Sequence, residues 1–154
     1  MQIKKQNCKK DYLHKITKYI VDYCLKEKIN QVIIGDISRI LKNTNLGKIV
    51  NQQLFQMPYA IIYHMLYYKL ASKGISLIKQ NESYTSQCSP LSVKVSRKYA
   101  NKANRIMRGL FCDSKSVWNA DSVGAYNILR LNKDFTQMPK ATGLSNPTVI
   151  KIAV

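Results

Sequence analysis

Carboxylates are scarce in this chain: eight Asp and Glu stand against 25 Lys and Arg in 154 residues, a net charge of +17. A chain so cationic repels basic surfaces and attracts polyanions, which makes nucleic acid the leading partner class. An uninterrupted apolar stretch long enough to span a bilayer is missing, as is a secretory signal, so no membrane partner is expected. Cysteine is limited to Cys8, Cys24, Cys88 and Cys112, none of them in a CxxC pair. Without a secretory signal these read as reduced thiols of a cytoplasmic protein. No internal repeat is visible. Between Asp36 and Asp113 the only acid is Glu82, so each remaining carboxylate can be weighed individually.

One domain is the natural estimate for this length, and 45% hydrophobic residues suffice for a core. Leu13, Ile16, Ile20, Tyr23 and Cys24 recur at helical spacing, which predicts an amphipathic helix from Asp11 to Glu27. Gln31-Val32-Ile33-Ile34-Gly35-Asp36-Ile37 is a β-branched run that reads as a buried central strand. A polar loop is expected over Ser38–Gly47, then a helix from about Ile49 to Ser72. Pro58 should kink or break that helix near Met57, and Lys73-Gly74 should cap its end. Ile75–Ile78 form a second short strand, Asn119–Leu131 a closing helix, and Asn132–Val154 a loosely held tail. The alternation makes the fold α/β, with few strands for a self-sufficient sheet.

Residues from about Gln87 to Lys115 differ from their surroundings, being polar, basic and poorly periodic. Lys94, Arg97, Lys98, Lys102, Arg105 and Arg108 crowd together there without an acid. They read as a phosphate-contacting insertion, with a solvated surface excursion as the alternative. In the closing helix Asp121 shares a helical face with Gly124, Ala125 and Ile128, expected to pack inward. A carboxylate on such a face needs a donor, a cation or a metal. The plainer alternative is an acid in the first helical turn, favoured by the macrodipole. Asp36 at a strand end, Glu82 just past the next strand and Asp121 on a facing helix could converge on divalent metal. Two such ions activate water and stabilise the leaving oxygen in phosphodiester cleavage, and hard oxygen ligands favour Mg²⁺.

Four phrases, in matching order and spacing, carry a family resemblance: Val32-Ile33-Ile34-Gly35-Asp36-Ile37; Gly74-Ile75 leading to Asn81-Glu82-Ser83-Tyr84-Thr85-Ser86; Arg108-Gly109-Leu110-Phe111; and Asn119-Ala120-Asp121 through Asn127-Ile128. Over about residues 11 to 131 the chain resembles the C-terminal part of TnpB-type proteins, the transposon-encoded OrfB transposases that are RNA-guided DNA endonucleases. The resemblance implies a partial RuvC-like domain of the RNase H fold over residues 1–86, a basic target-nucleic-acid-binding insertion over 87–118, and the final RuvC helix over 119–131. It implies DNA and a guide RNA as partners, Mg²⁺ of the two-metal type, Asp121 as the third catalytic acid and a prokaryotic, nucleoid-associated setting.

Three departures qualify what is implied. The family's first catalytic Asp lies on a strand upstream of the first helix here, so the chain reads as a C-terminal fragment that an N-terminal polypeptide could complete. The family's second acid is a Glu where this chain has Gly35, and a one-residue shift turns Asp36 to the other strand face. Some branches, the eukaryotic Fanzor relatives among them, resemble a rearranged site that draws this Glu from the segment before Thr-Ser. That is where Glu82 stands, so Glu82 is preferred over Asp36, with a turn-capping role as its alternative. Last, a zinc ribbon of two CxxC pairs is common in the insertion, whereas Leu91 and Lys115 stand where the second cysteines would be. No zinc is expected. As an isolated chain the protein is read as a nuclease by descent whose own activity is in doubt, the alternative being an inactive nucleic-acid-binding remnant or ribonucleoprotein component.

Overall fold

The computed structural model describes residues 2–37, 52, 58–114, 116–132, 141 and 143–151. The expected loop at Ser38–Gly47, the first part of the second helix with its break near Met57, and Lys115 lie outside these residues. The described residues fall into two compact units, one built from the chain up to Val32 and from Pro58 to Ile78, the other from Ile33–Ile37 and Lys79–Val149.

The first unit is built on two helices, α1 (Gln2–Lys26) and α2 (Tyr59–Ala71). Helix α1 begins nine residues before the expected Asp11. Burial starts only at Leu13, and the preceding side chains that can be placed are exposed, so no apolar period announces those turns. Past the helix end at Lys26, Lys28 at φ 54° lets the Ile29 N–H reach back to Cys24 O. Val21 and Cys24 of α1 pack with Leu66, Leu70 and Ile75, and Ile20, Ile29, Val32, Ile62 and Leu77 close around them. Thr17 is fully buried and back-bonds to Leu13 O, and Lys69 Nζ donates to Thr17 Oγ1 and His14 O. This polar bridge fixes α2 to the middle of α1. Gly74 caps α2 as expected: at φ 72° it allows Ile75 N–H to return to Leu70 O.

Strands β1 (Gln31–Gly35) and β2 (Ser76–Gln80) pair side by side. Ser76 N–H donates to Asn30 O at one end and Asp36 N–H to Gln80 O at the other, so they run parallel. The connection through α2 is therefore a βαβ crossover, which sets the ends of both strands side by side. The architecture is α/β.

The second unit holds a feature the sequence pattern does not resolve. Within the basic insertion, β3 (Leu110–Asp113) and β4 (Ser116–Asn119) form an antiparallel hairpin, with Phe111 opposite Trp118. Two short 3-10 turns, Arg97–Tyr99 and Lys102–Asn104, precede it. Phe111 and Trp118 pack with Ala120 and Val123 of helix α3 (Ala120–Leu131), and Leu144 covers them. The expected tail is thus anchored where Asn119 N–H donates to Leu144 O and Ser145 Oγ to Val117 O.

Candidate functional site

Helix α3 sets the orientation of the site. Its N-cap, Asn119, accepts hydrogen bonds from the N–H groups of Asp121 and Ser122, both at 3.0 Å. The buried residues of α3 are Ala120, Val123 and Asn127. This corrects the expectation that Asp121, Gly124, Ala125 and Ile128 pack inward. Asp121 and Ala125 are exposed, and Gly124 and Ile128 are half-buried. The hairpin's Phe111 and Trp118 select the 120/123 side, and Asn127 can join it because its amide is hydrogen-bonded there.

Glu82 lies in the turn after β2. Its carbonyl accepts from Thr85 N–H at 3.2 Å and Thr85 Oγ1 at 2.8 Å, and Asn81 Oδ1 accepts from Ser83 on the other flank. The turn passes through Tyr84 at φ 66°, a left-handed conformation that costs a non-glycine residue roughly 1–2 kcal/mol. The Glu82 side chain reaches β1. A Cβ placed on Gly35 would stand closer than 3.0 Å to Glu82 Oε2, 3.3 Å from Glu82 Cδ and 3.2 Å from Ile128 Cδ1. The glutamate therefore fills the space that a side chain at position 35 would occupy.

Burial, and secondarily the Asp36 carboxylate, push the Glu82 carboxyl above the usual glutamate range. Like charges held together in partly dry surroundings are an arrangement that a divalent cation relieves. Asp121 lies on the same side of α3 as Ile128 but seven residues before it, roughly 10 Å along the axis. Among the described residues, no group of three His, Cys, Asp or Glu side chains is gathered for metal binding. The fold thus brings Glu82 and Asp36 together and leaves Asp121 apart, at the mouth of the same helix face. The Glu82–Asp36 pair fits the hard-ligand character of magnesium; a complete set of three acids is not gathered.

Cys88 is fully buried with Sγ donating to Ser96 O at 3.4 Å, and Cys112 is half-buried on β3. Leu91, where a second cysteine would stand, is exposed and offers no ligand atom. Lys94, Arg97, Lys98, Lys102, Arg105 and Arg108 are all exposed, in the insertion as expected. Val93, Ile106 and Met107 are exposed among them.

Two polar residues of α3 that the sequence pattern does not single out as site residues fasten the turn and the insertion to the helix. Asn127, with no exposure, donates both amide hydrogens, to Thr85 O and Cys88 O at 2.8 Å each. Arg130 Nη1 donates to Asn127 Oδ1 at 2.9 Å and to Ser89 O at 3.1 Å, and its Nη2 donates to Ser92 O. Their signal in the sequence is the 120, 123, 127 spacing, which carries a polar residue inward where an apolar one would be expected.

Residues 59–128 match the model of the Cas12f1-like, TNB domain family. The chain is also similar in structure to a solved chain from a cryo-EM structure of a Cas12f1–sgRNA–target DNA complex. The TM-score is 0.63 at 19% identity, over 87% of this chain and 36% of that one. This chain thus spans little more than a third of the length of the solved chain. No curated protein matches. At this level the resemblance drawn from the sequence holds: the chain carries a Cas12f1-like segment, and its α/β fold is that of part of a Cas12f1 chain. No helix among the described residues is long and apolar enough to cross a membrane.

Proposed function

We propose that this chain is the RuvC-like portion, with its basic insertion, of a TnpB/OrfB-type RNA-guided DNA endonuclease. In this reading Glu82 serves as the second metal-binding acid and Asp121 as the third. The observation that carries it is the Glu82 carboxylate seated against Gly35, so that an acid from the neighbouring strand end occupies the space of the side chain that β1 lacks. Asp36 is the neighbouring carboxylate that makes this position electronegative. Bound Mg²⁺ would supply activation of the attacking water and charge neutralisation at the scissile phosphate. Glu82 would hold a ligand oxygen ionised once a cation offsets its burial, and Asp121 would be the acid that α3 contributes. The six exposed Lys and Arg of the insertion would hold nucleic-acid backbone through charge, while sequence would be read by guide-RNA pairing. DNA and a guide RNA are the partners this reading requires.

The separation of Asp121 from the Glu82–Asp36 pair favours a second reading for the isolated chain, binding without cleavage. One experiment decides between them. The purified chain is incubated with single- and double-stranded DNA and Mg²⁺, beside Glu82→Ala and Asp121→Ala. Cleavage lost in both variants supports the nuclease reading. Salt-sensitive binding with no cleavage in any of the three supports the binding remnant, and the absence of any binding refutes both.

A further inference from the structure

Glu82 is half-buried in the turn after β2, with its side chain held against a strand end. The main chain of that turn is fastened to α3. Glu82 O is gripped by Thr85 through its N–H and its hydroxyl, Thr85 O is gripped by Asn127, and the same Asn127 amide grips Cys88 O at the far end of the turn. Thr85 and Cys88 are themselves buried, so that one amide satisfies carbonyls that water reaches poorly. Arg130 completes the arrangement: by donating to Asn127 Oδ1 it fixes which way the amide faces, keeping the NH₂ toward the two carbonyls. Its other bonds, to Ser89 O and to the carbonyl and hydroxyl of Ser92, tie the next stretch of the insertion to the same helix.

We propose that Asn127, oriented by Arg130, is the positioning residue of the site: it clamps the Glu82–Cys88 turn to α3 and thereby registers Glu82 on the helix that carries Asp121. This rests on the reading of Glu82 as a metal-binding acid. It extends that reading by assigning a role to a buried amide two turns from any carboxylate on α3. A leucine at 127 would suit the apolar side of α3 equally well in size, so the amide is retained for what it bonds. The same pair of side chains fastens the insertion to α3 through the main chain of Cys88, Ser89 and Ser92.

The test uses the full chain labelled with ¹³C at glutamate Cδ. Glu27 and Glu82 are the only glutamates, so two carboxyl signals are seen and one is an internal control. Mn²⁺ alone is the probe. In the native chain Mn²⁺ should broaden the Glu82 signal at concentrations that leave Glu27 sharp. Asn127→Leu should raise the Mn²⁺ concentration required by about tenfold or more, the usual loss when a group behind a metal ligand is removed. Thr85→Val, which removes only the hydroxyl link to Glu82 O, should act in the same direction, and Thr85→Ser should restore native behaviour. Amide hydrogen exchange is followed in parallel at Thr85, Gln87 and Cys88, whose N–H groups close the turn. Faster exchange confined to those amides in Asn127→Leu supports the clamp. Unchanged exchange there, or equal Mn²⁺ broadening of Glu82 in all variants, overturns it. If the native chain shows no selective broadening while the turn still loosens in Asn127→Leu, the metal reading of Glu82 falls and the clamp stands.

Discussion

Replacing Gly35 by alanine puts the candidate site under direct steric test. The added Cβ would stand within 3.0 Å of Glu82 Oε2, and 3.2 Å from Ile128 Cδ1. To regain van der Waals separation the carboxylate must withdraw by roughly 1 Å, while the Ile128 methyl must give by only a few tenths. The carboxylate ends a flexible side chain with solvent on one side, so the withdrawal is cheap. Gly35 is not in the left-handed region, so alanine is admissible there and lowers the entropy of the unfolded chain by about 0.4–1 kcal/mol in favour of folding. Crowding against Ile128 offsets part of that gain. The variant should therefore fold with a stability within about 1 kcal/mol of the native chain.

Its electrostatics should change more than its stability. Burial is the larger cause of the raised Glu82 pKa, and a carboxylate pushed off the strand end toward water loses that cause first. Titration of the two glutamate carboxyl carbons by NMR reads this directly, with Glu27 as the reference. Glu82 should titrate above the usual glutamate range in the native chain and move down toward it in Gly35→Ala, with Glu27 unmoved. Glu82 titrating at the same pH in both proteins would refute its seating against Gly35. A Gly35→Ala chain that fails to fold would refute the claim that only the end of a flexible side chain stands in the way.

The same shift has a consequence for stability. Because the folded chain holds the Glu82 proton at pH values where the unfolded chain has lost it, this group's contribution is fully present below the ordinary glutamate pKa of about 4.3. It is lost as pH rises through the raised folded value. Relative to native, Glu82→Gln should therefore gain stability as pH rises through that window, measured by urea denaturation at several pH values; a constant difference would contradict the assignment. Asp36→Asn should lower the Glu82 pKa without moving Glu27, by less than Gly35→Ala does, since Asp36 is the smaller cause. If nucleic acid lies on the insertion, alanine at Lys102, Arg105 and Arg108 together should reduce the salt slope of DNA binding by about one for each phosphate no longer neutralised; an unchanged slope would remove these residues from the interface. Phe111→Ala, deleting a fully buried ring opposite Trp118, should cost about 3–5 kcal/mol in the chain's unfolding free energy; a loss under 1 kcal/mol would mean that the hairpin is not part of the cooperative core.

How legible each part is in the sequence depends on how many residues announce it. The run at Gln31–Ile37, the Ile75–Ile78 strand and the Gly74 cap each rest on several residues of one kind, or on one residue whose backbone freedom is decisive. The cap and both strands appear, the strands as Gln31–Gly35 and Ser76–Gln80. The first is not the buried central strand expected, being half-buried except at Gly35 and paired, among the described residues, with β2 alone. The β3–β4 hairpin rests on one large buried side chain per strand, Phe111 and Trp118, facing each other across the pair. A single residue has no period, so the hairpin reads as polar loop in the sequence. The inward face of α3 is misplaced for a related reason. Its third member is Asn127, which no hydrophobic pattern counts, and discarding it moves the apparent stripe onto Gly124, Ala125 and Ile128.

The acids follow a different logic. Asp36, Glu82 and Asp121 stand out by their scarcity in a basic chain, but scarcity says nothing of distance, and of the other two only Asp36 stands close enough to Glu82 to raise its pKa. What brings Glu82 to β1 is a missing side chain: at Gly35 the strand offers an open space, and the neighbouring turn fills it. A glutamate at position 35 and the present placement of Glu82 therefore exclude each other sterically. The site has room for one acid there, supplied from one strand end or from the other. A chain that changed the source would have to gain the glycine and the glutamate together, because either change alone leaves the space overfilled or empty. Gly35→Glu combined with Glu82→Ser should accordingly fold as well as the native chain, whereas Gly35→Glu alone should drive Glu82 out of its seat. Thermal denaturation and Glu carboxyl shifts of the two variants measure this directly, and equal perturbation in both would break the link between the two positions.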